Sequence, residues 1–144
     1  MQETKFNLVR GSHSVGESNF HFVFTVAYRR NVFKSKHVLD KTREYMLAKA
    51  GEMHITVAAM EFGTNHVHLF VKQCRRYSAE TLAHDLKGNV SAMMREHHFM
   101  WTRSWLWGNK FWSRGYFYRS VGSTTAAAVK FYVERAQRKH WVVN

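Results

Sequence analysis

The chain has 144 residues, 45% of them hydrophobic, which suits one domain around one core and excludes a disordered polyelectrolyte. Its 22 Lys and Arg against 10 Asp and Glu leave a formal charge of +12, and such an excess points to a polyanionic partner, because each phosphate contact releases condensed counterions. One cysteine, Cys74, excludes an internal disulfide and a thiolate zinc site, and no apolar run has the length of a membrane span.

Residues 1–18 are polar and aperiodic and read as an N-terminal arm preceding a single domain over 19–144. With no apolar segment in that arm, the expectation is a cytoplasmic, nucleoid-associated protein. "NFHFVFTVAYRR" (19–30) is aromatic and β-branched and predicts a buried strand. Over 34–53, Val38, Leu39, Tyr45, Met46 and Ala50 fall near helical spacing, with Gly51 as a stop. "HITVAAMEF" (54–62) and "HVHLFVK" (66–72) predict two strands, and the "GTN" between them is a hairpin connection.

A second helix is predicted over 78–99, with Leu82, Leu86, Val90, Met93 and Met94 on one face and Gly88 as a break or a point of close approach. "GYFYRSVG" (115–122) predicts a fourth strand, and 123–141 a last helix capped by Ser123 or Thr124. The order β-α-β-β-α-β-α predicts an α+β fold. It is the ferredoxin-like (RRM-like) split β-α-β pattern, an antiparallel sheet with helices on one face, plus a C-terminal helix.

Two positions carry candidate chemistry. In a strand, residues i and i+2 share a face, so His66 and His68 project together. Such a pair can occupy two positions on a divalent ion but needs a further ligand; the alternative is a half-polar strand face meeting water. Tyr132 lies mid-helix among Lys130, Glu134, Arg135 and Gln137. Its phenol is either core packing or a nucleophile toward phosphorus, activated where a metal and cations stabilise phosphate charge.

"NFHFVFTVAYRR", "EFGTNHVHLFV", "LKGNVSAMM", "FWSRGYF" and "VKFYVERAQ" stand in the order found in single-tyrosine HUH transposases of the insertion-sequence 200/605 type, which the chain resembles from about residue 10 to 140. The resemblance implies that His66 and His68 bind Mg²⁺ or Mn²⁺ and that Tyr132 attacks single-stranded DNA, leaving a 5′-phosphotyrosine and a free 3′-OH. It also implies recognition of hairpins at the element ends, a homodimer built by strand-edge pairing, and no nucleotide cofactor. The family writes Pro-Asp before the first histidine, where this chain has Thr64-Asn65. It places a third metal ligand four residues after the tyrosine; here that residue is Ala136, with Gln137 one step later. One step turns a side chain by about 100° on an ideal helix, so Gln137 shares the site only if the helix is locally distorted. Glu134, Glu61, water or no ligand at all are the alternatives, the last describing an inactive relic.

Arg29, Arg30, Arg75, Arg76, Lys87, Arg114 and Lys130 are phosphate-contact candidates, with a solvated basic face as the competing reading. Trp105, Trp107, Phe111 and Trp112 divide between base stacking and packing. His21 and His84 read as structural, and Cys74 as an incidental thiol. Tyr116 and Tyr118, on one strand face, compete with Tyr132 as nucleophile. Two other functions stay open: a domesticated relative that nicks repeated palindromes, and a non-catalytic RRM-like binder of single strands.

Overall fold

The computed structural model describes residues 9–10, 15–16, 18–98, 100 and 110–121. Within the polar arm, β1 (Val9–Arg10) pairs antiparallel with β2 (Val15–Gly16). A backbone ladder needs no apolar side chains, so hydropathy carried no sign of this hairpin.

The main sheet contains β3 (Asn19–Thr25), β4 (Thr56–Phe62), β5 (His66–Lys72) and β6 (Phe117–Val121), in the order β4-β5-β3-β6 with every pair antiparallel. Two helices join them: α1 (Lys36–Glu52) between β3 and β4, and α2 (Ala79–His97) between β5 and β6. The split β-α-β arrangement is thus present, while the predicted helix over 123–141 lies outside the described residues.

Each helix starts at a serine whose hydroxyl satisfies an otherwise orphaned amide. Val38 N–H donates to Ser35 Oγ at 3.3 Å, and Thr81 N–H to Ser78 Oγ at 3.1 Å. Val38, Tyr45, Met46 and Ala50 of α1 and Leu82, Leu86, Val90 and Met94 of α2 are buried against Phe22, Phe24, Val67, Leu69 and Val71 of the sheet. One sheet face therefore belongs to the helices, by the alternation that strands impose.

Several details differ from the sequence expectation. The first strand stops at Thr25 rather than residue 30, because Tyr28 and Arg29 take positive φ (58° and 52°) in a 3-10 turn. The backbone there bonds to loops instead: Val26 N–H to Asn65 O at 2.8 Å and Ala27 N–H to Phe111 O at 2.9 Å. β4 begins at Thr56, since His54 turns out of α1 with φ of 60°. Finally, α2 runs through Gly88 without a break, and a Cβ there would meet nothing within 4 Å. Close approach is not why a glycine stands at this position. Gly88→Ala is expected to raise stability by about 0.5–1 kcal/mol, read as a higher denaturation midpoint with unchanged slope.

Candidate active site

The site is built on the face of the sheet turned away from α1 and α2. In the β3–β5 ladder Phe22 opposes Leu69 and Phe24 opposes Val67, all four pointing to the helices. The alternate residues pair as His21 with Phe70, Val23 with His68 and Thr25 with His66, and so share the other face. A strand face that merely meets water would expose its imidazoles. Instead His21 and His66 are 2% exposed and His68 3%.

Burial is matched by specific partners on each ring. His66 Nδ1 lies 2.9 Å from Asn65 Oδ1. An amide oxygen only accepts, so Nδ1 carries the proton and Nε2 has the ring's lone pair. His68 Nδ1 lies 3.0 Å from His21 Nε2. The His66 and His68 rings stand 5.3 Å apart between centroids and nearly perpendicular, at 80°.

Backbone geometry holds this pair. Gly63 N–H donates to His66 O at 2.8 Å, closing the hairpin. Phe33 N–H donates to Thr64 O at 3.0 Å, and Thr64 Oγ1 donates to Asn31 Oδ1 at 3.0 Å, tying the turn to the loop after β3. The His66 ring lies directly over Gly63: an added Cβ would overlap it, 2.7 Å from Nε2 and 2.8 Å from Nδ1. Only a residue without a Cβ leaves room for the imidazole in this position.

His21 is an electrostatically tuned member of the group. Burial, reinforced by the Arg119 charge opposite it in the β3–β6 ladder, lowers its pKa from 6.5 to about 4. The ring is neutral at pH 7. An unfolded chain would bind the His21 proton near pH 6.5 and the folded chain only near 4. Between those values the unfolded state holds more protons, so stability rises with pH across that window. The expected gain is up to about 3 kcal/mol. Denaturant titrations at several pH values across it would show this rise, and His21→Phe would flatten it.

The donor set suits a divalent ion at two positions, with each ring's Nδ1 occupied and Nε2 directed elsewhere. Among the described residues no group of three His, Cys, Asp or Glu side chains converges to hold a metal. Glu61 is paired with His68 in the β4–β5 ladder and occupies the same face. Tyr132 and Gln137, together with Lys130, Glu134 and Ala136, lie outside the described residues.

Most described tyrosines lie away from the histidine pair. Tyr118 pairs with Phe22, and the rings of Tyr116 and Tyr118 pack tilted against Phe22, at 6.1 and 6.3 Å between centroids, on the face opposite His66 and His68. The Tyr45 hydroxyl lies 2.6 Å from His98 Nε2, and the Tyr77 hydroxyl donates to Met53 O at 3.1 Å, both on the helix side. Tyr28 is the described tyrosine at the His66 end of the sheet, 65% exposed on the turn after β3.

The basic candidates separate by position. Arg29 and Arg30 follow β3 at the His66 end, whereas Arg75 and Arg76 follow β5 at the far end. Lys87 serves the fold: its Nζ donates to Ser113 O at 2.9 Å and lies over the rings of Phe24 and Tyr116 at 5.7 and 5.3 Å. Burial lowers its pKa. With Lys110, Arg114, Trp112 and Tyr116 it lines a cavity of about 420 Å³ on the helix side of the sheet. Phe111 and Trp112 are buried in the core, and Trp112 Nε1 donates to Lys87 O at 3.1 Å. Trp105 and Trp107 lie outside the described residues. Cys74 is buried and its thiol pushed up to about 12, unfit for nucleophilic work.

Sequence reading missed His21 and Gly63 as parts of this site. The parity of 21 with 23 and 25 placed His21 on a face, but only the register with β5 shows which one.

The chain is 28% identical over 118 residues to the transposases of insertion sequence element IS200 from Salmonella typhimurium and Salmonella typhi, spanning 80% of this chain and 74% of each relative. A crystal structure of a Deinococcus radiodurans protein described as a transposase superposes with a TM-score of 0.70 at 20% identity, covering 94% of this chain and 96% of that one. A REP-associated tyrosine transposase, solved bound to a REP hairpin, superposes at 0.59 with 9% identity, over 87% of this chain and 67% of that one. These two likenesses show the fold. The family described as "Transposase IS200 like" matches residues 14–136, a span that contains the histidine strand, its Gly63 turn and both helices, and the chain therefore belongs to the IS200-like transposases, a family of DNA-processing enzymes.

Proposed function

We propose that the protein cleaves and rejoins single-stranded DNA at the ends of an insertion sequence, through a covalent bond from Tyr132 to a 5′-phosphate. The observation that carries this reading is the buried pair His66 and His68 on one sheet face, each with its Nδ1 held by a polar neighbour. Mg²⁺ or Mn²⁺, held by Nε2 of His66 and His68 and by Gln137, would polarise the scissile phosphate and stabilise charge on it. The Tyr132 phenol oxygen forms a bond to phosphorus and loses its proton to solvent. The P–O3′ bond breaks, and the departing 3′ oxygen takes up a proton as a hydroxyl. One phosphate ester replaces another, so no nucleotide cofactor is needed. Attack by a different 3′-OH reverses the step and joins new strands.

A DNA hairpin as partner is supported by the bound REP hairpin of the structural neighbour. Arg29 and Arg30, at the His66 end, are assigned to phosphates beside the cleavage site. Arg75, Arg76, Arg114 and Lys130 are assigned to flanking DNA, whereas Lys87, its ammonium bonded to Ser113 O, is withdrawn from the phosphate contacts. A homodimer through strand-edge pairing is compatible with β6, which ends the described sheet with Phe117 and Tyr118 half-exposed. Among the described residues no helix is long and apolar enough to cross a membrane.

The RRM-like binder requires aromatics exposed on the open sheet face for base stacking. Here Phe70, His21, His66 and His68 on that face are buried, and Phe117 at its β6 edge is the described aromatic left half-exposed. The test is incubation of the full chain with single-stranded hairpin oligonucleotides and Mg²⁺ or Mn²⁺. A protease-sensitive adduct that survives denaturing electrophoresis is expected. Tight hairpin binding with no adduct under any metal would establish the binding module instead. A domesticated palindrome-nicking relative would form the same adduct but prefer repeated palindromes over element ends.

A further inference from the structure

We propose that His21 is the positioning residue for His68: its Nε2 accepts the His68 Nδ1–H and so fixes the tautomer in which His68 Nε2 is the donor to a divalent cation. This rests on the reading of His66 and His68 as metal ligands. The two nitrogens are 3.0 Å apart and buried. A hydrogen bond between two neutral imidazoles can run either way. If His21 donated, His68 Nδ1 would be the acceptor, its proton would sit on Nε2, and the ring would offer a cation nothing. Only the direction from His68 to His21 gives a ligand.

The surroundings hold His21 in place for this task. Its ring is stacked on Phe70, its ladder partner, at 6.0 Å and 12°, and lies at 22° to the His68 ring with centroids 5.3 Å apart. Phe117 closes it edge-on from β6 at 6.0 Å. The ring is thus clamped in orientation by the strands on both sides of its own, β5 and β6. Asn65 does the corresponding work for His66, from the adjacent residue rather than across the sheet. Both ligand rings are anchored at Nδ1, one by an amide and one by an imidazole, which is how proteins set ligand orientation at metal sites.

Two measurements on the full chain test this. Metal-free protein labelled with ¹⁵N in its imidazoles should show His68 as the Nδ1–H tautomer. Calorimetric titration with Mn²⁺ alone should show binding by wild type that His68→Ala abolishes. His21→Phe keeps the ring stack but has no acceptor, and is expected to weaken Mn²⁺ by about 10- to 100-fold and to release His68 into mixed tautomers. His21→Gln places an amide oxygen near the lost Nε2 and should restore most of the affinity. A purely packing role for His21 predicts the reverse order, with Phe tolerated and Gln harmful, and would overturn the proposal. So would wild-type His68 found as Nε2–H, a readout that stands even if a variant fails to fold. If wild type binds no Mn²⁺, or His68→Ala binds it equally, the metal-site reading itself fails and takes the proposal with it.

Discussion

Tyr132→Phe is expected to lower covalent adduct formation on a single-stranded hairpin by about 10³-fold or more, while Tyr116→Phe and Tyr118→Phe leave it near the wild-type level. The contrast follows from the sheet, not from helix propensity or exposure. Tyr116 and Tyr118 stand with Phe22 on the helix side, and the histidine pair projects from the other side. A phenol cannot pass through a hydrogen-bonded sheet. Tyr45 and Tyr77 are also on the helix side, with hydroxyls engaged by His98 and Met53 O. Tyr28→Phe is the decisive control, because Tyr28 is exposed at the His66 end. Adduct lost in Tyr28→Phe and kept in Tyr132→Phe would transfer the nucleophile to β3's turn. Gel quantification of the adduct, followed by peptide mapping of the DNA-linked residue, distinguishes the two.

The second large effect is expected from a single methyl group. Gly63→Ala should abolish the adduct nearly as completely as His66→Ala, although residue 63 carries no chemistry. A Cβ there would occupy the volume of the His66 ring. The ring must rotate out of its bond to Asn65 Oδ1, or the turn must open and break the Gly63 N–H to His66 O bond. Either movement takes the imidazole away from His68, and misplacement by about 1 Å can cost on the order of 10²-fold in rate. The core packs on the opposite face, so the loss of activity should exceed the loss of stability. Thermal melts beside adduct assays check this. An active Gly63→Ala would mean that His66 is not held where catalysis needs it.

Much of this fold was legible because its signals are local. The β5 strand runs over 66–72 as its apolar run predicts, and the three-residue "GTN" turn closes the hairpin. Both helices fall within about two residues of their expected bounds, at Lys36–Glu52 and Ala79–His97, because the apolar spacing that marks them is local. The short β1–β2 pair escaped notice because its pairing rests on backbone groups that every residue carries. Gly88 marks neither the break nor the close approach that a glycine in a helix suggests: α2 runs through it, and an added Cβ would meet nothing within 4 Å. Lys87 looked like any surface cation, yet its ammonium is bonded to the loop carbonyl at Ser113, 26 residues away.

Residue order alone was enough for the split β-α-β class, the shared projection of His66 and His68, and the family, because period-two alternation and motif succession are properties of neighbouring positions. Residue order could not tell which face of the sheet the helices would cover. That choice depends on register, and a slip of one residue would have sent every side chain of β5 to the opposite side. Folding decided it through Phe22, Phe24, Val67 and Leu69, which bury against α1 and α2 and so consign the histidines to the other face. The same step brought His21 within 3.0 Å of His68 across 47 residues of chain, set Gly63 beneath His66, and put Tyr116 and Tyr118 out of reach. Hydrophobic burial has no direction of its own; the hydrogen-bonded ladder turns it into one, and the site is built on what remains.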